Sequence, residues 1–292
     1  MNVFNISCYE EFEIQCDLMG ISKVDVLKEI GHQIDDYYFF ITNDGIFNWF
    51  DLEGNHIENQ GGLKEIKSEY ISKTITKCVI PNSVTSIDDC TFYECTSLKE
   101  ITIPDGVTNI GYYAFYCCKS LTSITIPDNI KSIGVQAFCY CNSLKEITIP
   151  DSITSIGAYA FCRCDSLTSI TIPTGVKIID NYAFKYCTSL TSITIPDGTT
   201  SIGDGVFWSC KSLKEIIIPD SVKSIGNEAF SGCESLESIT IPDSVTYIGG
   251  GAFFDCNSIK EVIFKGKTLE EVKQIGNYPF GIEDENVFKV EI

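Results

Sequence analysis

The stretch SLTSITIPDNIKSIGVQAFCYC, from Ser120 to Cys141, is followed almost at once by SLKEITIPDSITSIGAYAFCRC, from Ser143 to Cys164. The two stretches share leucine, isoleucine, proline, glycine, phenylalanine and cysteine positions at an offset of 23 residues. Self-similarity at a constant period indicates a repeat architecture. The same offset separates eight of the nine prolines, which are Pro81, Pro104, Pro127, Pro150, Pro173, Pro196, Pro219 and Pro242.

Each unit follows the template L-x-x-I-x-I-P-x-x-V-x-x-I-G-x-x-A-F-x-x-C, and its first part predicts a short strand. Ile124 and Ile126 alternate with polar residues, as expected of a strand with one buried and one wet face. Pro127 ends the strand because proline has no N–H to donate to a ladder. The later apolar residues have spacings compatible with irregular or 3₁₀ turns, and Gly134 allows a sharp bend beside them. One unit is therefore predicted to be one strand and one return arc.

A single unit buries too little apolar surface to fold alone. Ordering about 23 residues at roughly 1 to 2 kcal/mol each opposes folding, whereas each buried apolar side chain contributes only about 1.5 to 3 kcal/mol. Stacked units place equivalent residues in columns and close a continuous core. One column is predicted for Leu98, Leu121, Leu144, Leu167, Leu190, Leu213 and Leu236, and another for Phe92, Phe115, Phe138, Phe161, Phe184, Phe207, Phe230 and Phe253.

Caps are expected at both ends of the stack, because the ends of a solenoid expose core. Residues 1–74 are assigned to a small α+β N-terminal cap, residues 75–264 to eight full repeats with nine strands, and residues 265–292 to a C-terminal cap. In the N-terminal cap, Val24 to Ile30 predicts an amphipathic helix. Tyr37 to Phe50 predicts a hairpin that turns at Asn43-Asp44-Gly45.

Two further segments flank the repeats. Leu63 to Ile66 is interpreted as a decayed half-unit that precedes the first full one. After the last unit, Thr268 is predicted to cap a helix over Leu269 to Ile275. The partly alternating segment Val287 to Ile292 is predicted to add an edge strand.

The composition restricts the class of partner. The chain has 292 residues and a formal net charge of -19, and Arg163 is its single arginine. Such a chain repels phosphate backbones, which argues against nucleic acid and anionic membrane surfaces as partners. It contains no run of about 18 uncharged apolar residues, so membrane insertion is not predicted, and residues 1–20 carry acids where a secretory leader carries bases. We expect a cytoplasmic protein, with the cell surface reached by a non-standard route as the alternative.

The sequence shows no catalytic or metal-binding motif, and no cofactor is predicted. The two histidines, His32 and His56, both lie in the N-terminal cap. Nucleophilic catalysis would require one of them beside a suitable nucleophile. An enzyme within residues 1–74 remains a remote alternative, supported only by the absence of repeats in that segment.

Most of the 15 cysteines recur at the repeat spacing, which indicates buried reduced thiols rather than a disulfide framework. Cys139 and Cys162 occupy equivalent positions in adjacent units, so a bridge between them is an alternative in an oxidising medium. A metal site would use these two with Cys141 and Cys164, although the C-x-C spacing differs from that of zinc ribbons. The regular column consists of Cys95, Cys118, Cys141, Cys164, Cys187, Cys210, Cys233 and Cys256.

A row of aspartates follows the prolines and also recurs at the repeat spacing. Carboxylates only about 5 Å apart would attract Ca²⁺, which is one interpretation of the row. Thr174 interrupts it, and Pro-Asp is a common turn sequence, so turn formation is the simpler interpretation. The row consists of Asp105, Asp128, Asp151, Asp197, Asp220 and Asp243.

Two surfaces are candidates for binding a protein partner. The wet face of the strands carries a regular row of acidic and hydroxyl side chains, whose simpler interpretation is β propensity and solubility. The positions that flank the phenylalanine column vary from unit to unit and are rich in aromatic residues, the usual anchors of interfaces. Alternatively, these rings lie flat over the return arcs. The strand-face candidates are Glu100, Thr102, Thr125, Glu146, Thr148, Thr171, Thr194 and Glu215, and the flank candidates are Tyr113, Tyr116, Tyr140, Tyr159, Tyr182, Tyr186, Trp208 and Phe254.

The repeat resembles the BspA-type leucine-rich repeat of 23 residues over about residues 75–264. The resemblance implies an α/β-type, right-handed repeat solenoid with a parallel β-sheet on its concave side and irregular or 3₁₀ return arcs. It also implies a non-enzymatic scaffold for protein recognition or adhesion, without indicating a particular ligand. A structural, self-assembling spacer that associates through its edge strands or caps is the alternative function.

Overall fold

Each 23-residue repeat forms one coil of a solenoid in the computed structural model, which describes residues 9–34, 37–42, 46–57 and 63–291. A coil contributes one strand, of three residues in most coils, before its proline and a strand of two residues after it. The strands of the solenoid are, in chain order, β5 (Glu65–Ile66), β6 (Lys77–Val79), β7 (Ser86–Ile87), β8 (Glu100–Thr102), β9 (Asn109–Ile110), β10 (Ser123–Thr125), β11 (Ser132–Ile133), β12 (Glu146–Thr148), β13 (Ser155–Ile156), β14 (Ser169–Thr171), β15 (Ile178–Ile179), β16 (Ser192–Thr194), β17 (Ser201–Ile202), β18 (Glu215–Ile217), β19 (Ser224–Ile225), β20 (Ser238–Ile241), β21 (Tyr247–Ile248), β22 (Glu261–Lys265) and β23 (Phe288–Glu291).

The even-numbered strands β6 to β22 form the first layer, a parallel sheet whose ladder is interrupted between β8 and β10 and between β12 and β14. Strands pair at the repeat offset, so that Ile124 lies opposite Ile147. In β10 the central Ile124 is buried while Ser123 and Thr125 are exposed, which is the predicted alternation. The parallel repeat solenoid expected from the sequence is therefore confirmed.

The odd-numbered strands β5 to β21 form a second parallel layer within the return arcs, interrupted between β9 and β11. The irregular turns predicted for the arcs are present around each phenylalanine, but the two-residue strand in each arc was not predicted. Among the described residues, 3₁₀ helices occur only at Ser68–Tyr70 and Glu285–Val287, outside the repeated arcs. A strand of two residues is too short to show a period in the sequence. The first of these strands, β5, pairs with β7, so parallel pairing begins within the segment that the sequence assigns to the N-terminal cap.

The core consists of the predicted columns, packed along the axis of the stack. All the phenylalanines from Phe92 to Phe253 are almost completely buried, as are the leucines from Leu98 to Leu236. Successive phenylalanine rings lie 5.1 to 5.8 Å apart and within 15° of parallel. Each ring therefore covers the ring of the preceding coil, and a coil without neighbours would expose both faces of its ring.

The glycine column serves close packing rather than a sharp bend. A Cβ atom at Gly226 would lie 2.6 Å from the backbone nitrogen of Asp204, and one at Gly249 would lie 2.4 Å from that of Asn227. Neither glycine has a positive φ. The bending role expected for the column, at Gly134 in particular, is thus replaced at Gly226 and Gly249 by a steric one, because the preceding coil approaches too closely for a Cβ atom. Asp180 occupies the same column, so the restriction applies to particular coils and not to all of them.

The N-terminal cap contains two helices, α1 (Tyr9–Met19) and α2 (Lys23–Ile30), and an antiparallel sheet in the order β1 (His32–Ile34), β2 (Tyr37–Ile41), β3 (Phe47–Asp51) and β4 (His56–Ile57). The predicted helix and the paired strands of the hairpin are confirmed, whereas the turn at Asn43-Asp44-Gly45 lies outside the described residues. Helix α1 was not predicted. Among its described side chains only Phe12 and Cys16 are buried, so its apolar pattern is weak.

The two faces of the cap sheet pack against two different cores. Phe40 and Phe50 pack with Phe12 of α1 in a small separate core, with ring centroids 5.0 and 5.2 Å from that of Phe12. Phe39 and Trp49, on the opposite face, belong to the continuous core of the solenoid. The sheet therefore closes the N-terminal end of the stack.

The C-terminal segment covers the last coil. Helix α3 (Leu269–Val272) begins with a capping box in which Thr268 Oγ1 accepts from the Glu271 backbone and Glu271 accepts from the Thr268 backbone. The prediction that the helix extends to Ile275 is wrong, because after Val272 the chain continues in tighter turns, in which Gln274 N donates to Glu271 O at 3.0 Å and Ile275 N donates to Val272 O at 3.1 Å. The predicted edge strand is confirmed as β23, which pairs in parallel with β22. Every helix among the described residues is too short or too polar to cross a bilayer.

Candidate functional site

On each return arc, three side-chain positions flank the core phenylalanine, and equivalent positions form columns from coil to coil. In the arc of Phe138, for example, Phe138 N donates to Ala160 O at 2.8 Å and Tyr140 N donates to Cys162 O at 2.7 Å. These bonds tie successive coils together at alternate residues, and they hold Tyr140 and Arg163 at φ values of 63° and 59°. The arc is therefore a tightly paired backbone, and its side chains lie in register from coil to coil.

The aromatic candidates of the flank lie together in these columns. With Tyr93, which was not among the candidates predicted from the sequence, they form the aromatic ribbon, and every member is half-buried: Tyr93, Tyr113, Tyr116, Tyr140, Tyr159, Tyr182, Tyr186 and Trp208. Rings stack from coil to coil, with centroid separations of 5.0 Å for Tyr93 and Tyr116 and 4.8 Å for Tyr159 and Tyr182. Phe254 is 53% exposed and lies two coils beyond Trp208, so the structure does not bring it into the ribbon.

Five ribbon tyrosines occupy the left-handed backbone region. Their φ values are 57° for Tyr113, 63° for Tyr140, 56° for Tyr159, 60° for Tyr182 and 61° for Tyr186. A side chain in this region costs about 1 to 2 kcal/mol relative to ordinary backbone. The rings are therefore maintained against a local backbone preference, and their stacking contacts offset part of that cost.

Later coils place glycine at the same positions. Gly205 corresponds to Tyr182 and Gly232 to Tyr186, with φ values of 55° and 71°. A Cβ atom at Gly205 would lie 2.3 Å from the Tyr182 ring. The ring of Tyr182 thus lies against the bare backbone of the next coil, which ends this row of tyrosines.

Among the described residues, three cations lie over ribbon rings: Lys73 Nζ is 6.0 Å from the ring centroid of Tyr93, and Arg163 and Lys185 lie closer, each over more than one ring. The guanidinium carbon of Arg163 is 4.3 Å from the ring centroid of Tyr186 and 5.6 Å from that of Tyr140. Lys185 Nζ is 3.8 Å from the ring centroid of Trp208 and 5.0 Å from that of Tyr182. Neither Arg163 nor Lys185 forms an ion pair with a carboxylate of the described residues. Sequence reasoning missed their role, although the uniqueness of Arg163 in an acidic chain was a usable signal.

Several ribbon phenols hold their protons more tightly than free tyrosine does. Burial raises the pKa of Tyr116 to about 12, and nearby thiol and phenol groups add to the effect. Burial likewise raises the pKa of Tyr159 and of Tyr182. These three hydroxyl groups are therefore neutral donors near neutral pH.

The strand-face candidates lie in register along the first layer, and all eight are exposed. Their rows are uniform: Thr125 lies opposite Thr148 and Thr171 opposite Thr194. Ile217 interrupts the threonine row and is 78% exposed. It borders an open depression of about 380 Å³ that Lys265 also lines. Val79 and Ile263 also lie in the threonine row, and the described part of this face carries no cluster of rings.

The cysteine column is a structural feature of the coils. Each thiol of the column from Cys118 onward donates to a phenylalanine carbonyl 26 residues earlier, as Cys141 does to Phe115 O at 3.2 Å. Burial raises the pKa of Cys141 and Cys164 well above the ordinary value for a thiol. These sulfurs therefore serve as buried donors, which the sequence anticipated only in general terms.

The remaining candidate chemistry finds no geometric support among the described residues. No group of three or more histidine, cysteine, aspartate or glutamate side chains there is arranged to hold a metal ion, which leaves the zinc and calcium interpretations without a site. His32 packs against Phe39 and Tyr70, with ring centroids 5.3 and 4.8 Å away, and burial lowers its pKa. His56 packs its ring edge against Phe50.

The two parallel layers, the columns and the caps define a leucine-rich-repeat solenoid of about ten turns. The model of the BspA type leucine rich repeat region matches residues 64–190 and 177–285 in six copies, and the chain belongs to this family. Its repeat suggests a protein-interaction or surface-scaffold role, and proteins of this type are often surface-associated. Solenoids of this class are typically non-enzymatic.

Solved structures give the same fold. A leucine-rich repeat protein from Bacteroides ovatus is 26% identical with a TM-score of 0.61, and the match covers 89% of this chain and 76% of that one. The leucine rich repeat protein TpLRR of T. pallidum is 28% identical with a TM-score of 0.54, covering 70% of this chain and 90% of that one. Comparison with curated proteins gives no match.

Proposed function

We propose that the protein is a non-enzymatic recognition scaffold that binds a protein partner through the aromatic ribbon. The observation that carries the proposal is the pair of cations, Arg163 and Lys185, held on ring faces in a chain of net charge -19. Half-buried aromatic rings supply contact area at low conformational cost, and arginine and aromatic side chains dominate binding energy at interfaces.

The charge of the ribbon indicates the chemistry of the partner. Neither Arg163 nor Lys185 forms an ion pair with a carboxylate of the described residues. An acidic side chain of a partner can therefore approach both cations without displacing an existing ion pair. The surrounding acidic surface repels other anions and so favours a partner whose negative charge is local. We therefore assign the partner surface as apolar or aromatic with one or two carboxylates at its centre.

Equivalent positions in other coils supply test substitutions that the backbone of the repeat already accommodates. Ser209 and Ser231 occupy in later coils the positions of Arg163 and Lys185, so Arg163→Ser with Lys185→Ser removes both cations with residues that the coils accept. Ile217→Thr, which restores the threonine row of the strand face, is the matched control. Partners are captured by crosslinking from cells that express the chain and are identified by mass spectrometry.

The ribbon proposal predicts a partner that the native chain and Ile217→Thr both retain and that the double serine variant loses, with binding that weakens as salt increases. A partner that depends on Ile217 and not on the two cations would instead assign recognition to the strand face. Turnover of a substrate by the purified chain would contradict the non-enzymatic assignment.

A second candidate function is self-association, which one observation favours. Strand β23 pairs with β22 on one side, and no described strand covers its other side. An open edge can pair with the edge of another chain. Light scattering tests this candidate: a particle mass that rises with concentration supports it, and a constant monomer mass contradicts it.

A further inference from the structure

Cys139 and Cys162 lie directly across from each other in neighbouring coils. They occupy the same column as Tyr116, Lys185 and Trp208, at its midpoint. The backbone is paired on both sides of them, through Phe138 N to Ala160 O at 2.8 Å and Tyr140 N to Cys162 O at 2.7 Å. Such pairing holds strands about 4.8 Å apart, which lies within the range of about 4.4 to 6.8 Å between Cα atoms that a disulfide requires.

The two thiols contact each other, unlike those of the regular cysteine column. The side chains of Cys139 and Cys162 are close enough for each to shift the pKa of the other. In the same two coils, Cys141 and Cys164 instead donate to the carbonyls of Phe115 and Phe138, at 3.2 and 3.3 Å. The column sulfurs are thus held by backbone acceptors, whereas the sulfurs of Cys139 and Cys162 lie beside each other in adjacent coils.

The surroundings distinguish the two members of the pair. The neighbouring Cys139 side chain lowers the pKa of Cys162, and the charges of Lys185 and Arg163 lower it further, against the opposing effect of burial. The Cys162 side chain and burial raise the pKa of Cys139. Asp165 also acts on Cys162 and opposes the two cations. Cys162 is 6% exposed, compared with 2% for Cys139 and 0% for Cys164. Cys162 is therefore the more reactive and the more accessible thiol.

We propose that Cys139 and Cys162 form a redox-active dithiol that a peroxide converts into a disulfide between two coils. The Cys162 thiolate attacks one peroxide oxygen, the O–O bond breaks, and Cys162 becomes a sulfenic acid while hydroxide leaves. The sulfur of Cys139 then attacks the sulfur of Cys162 and loses its proton, and the sulfenic oxygen leaves as water. In total, two thiols and one hydrogen peroxide give one disulfide and two waters, with the peroxide reduced by two electrons.

Peptide mapping of the folded, full-length protein tests the proposal. The chain is treated with hydrogen peroxide, its remaining thiols are alkylated, and it is digested with trypsin. Cleavage after Lys131, Lys145 and Arg163 separates peptide 132–145, which holds Cys139 and Cys141, from peptide 146–163, which holds Cys162 alone. We expect these two peptides to be joined and 2 Da lighter than their sum, before any cysteine of the regular column reacts.

Two variants assign the bond and keep the test decisive if one of them folds poorly. Cys141→Ala with Cys164→Ala removes the equivalent pair from the same two coils and should retain the crosslink, whereas Cys162→Ser should abolish it. Thiol counts before and after peroxide should fall by two in the native chain and in the alanine variant. Linkage of Cys141 or Cys164 in the folded protein, or peroxide consumption at Cys162 that ends in sulfinic acid without a crosslink, would overturn the proposal. Partner binding plays no part in these measurements, so they stand independently of the proposed function.

Discussion

The middle coils and the last coils of the solenoid differ in how they use the same backbone. Both have buried phenylalanine, leucine and cysteine columns, and both have two left-handed residues in each arc. The middle coils place Tyr159, Tyr182 and Tyr186 at these left-handed positions, whereas the later coils place there Gly205, Ser209, Glu228, Gly232, Gly251 and Asp255. The comparison shows that the arc geometry does not require the rings. It separates residues that build the coil from residues that occupy its surface at a conformational cost.

The largest expected effect comes from the part that all coils share. Phe161 is completely buried, with its ring 5.6 Å from that of Phe138 and 5.3 Å from that of Phe184. Phe161→Ala should lower the free energy of unfolding by about 3 to 5 kcal/mol, since it removes a ring between two others and leaves a cavity. Urea denaturation followed by circular dichroism measures the change. Thr171→Ala, on the exposed strand face, is the control and should stay within about 0.5 kcal/mol of the native value.

The next effect tests the close approach of coils at the glycine column. A Cβ atom at Gly226 would meet the backbone of Gly203 and Asp204 at 2.6 Å. Gly226→Ala should therefore destabilise the chain by about 1 to 3 kcal/mol, because the stacked coils must shift to admit a methyl group. At Gly250 the nearest atom to such a Cβ is 3.7 Å away, so Gly250→Ala should be neutral or slightly stabilising. Equal effects of the two changes in thermal unfolding would refute the steric role of the column.

These features differ in how far the sequence predicts them. The columns, the strand before each proline and the parallel stacking follow from the repeat, because each buried position recurs with the same residue type. The second layer does not, since a pair such as Ser132–Ile133 carries no detectable period. The sequence also identifies the ribbon tyrosines as a variable aromatic set. It does not place Arg163 and Lys185 on their faces, because that contact depends on side-chain directions between neighbouring coils.

A smaller effect distinguishes buried ribbon phenols from free tyrosine by pH. Burial raises the pKa of Tyr116 to about 12, whereas a phenol in the unfolded chain titrates near about 10. Because the folded state binds this proton more tightly, its contribution to stability is complete below about pH 10 and is lost as the pH rises towards 12. Absorbance titration at about 295 nm should show a late-ionising class of phenols that includes Tyr116 and Tyr278, whose pKa also rises to about 12.

Substitution of Tyr116 separates this effect from general alkaline unfolding. Tyr116→Phe removes the ionisable group while keeping the ring, so the free energy of unfolding should fall less between about pH 9 and pH 11 than it does in the native chain. A fall of the same size in both proteins would show that Tyr116 is not the group responsible.

The smallest expected change tests the comparison between the middle and last coils directly. Tyr182→Gly installs the residue found at the equivalent Gly205, and the loss of ring stacking is offset by the release of a φ of 60°. We expect a net change in unfolding free energy below about 1 kcal/mol. Tyr182→Ala loses the same ring but keeps a Cβ in the left-handed region, so it should be less stable than the glycine variant by about 1 kcal/mol. At an ordinary backbone position the order is reversed, since alanine is then the more stable residue. Chemical denaturation that ranks alanine above glycine would therefore contradict the strained backbone on which the ribbon depends.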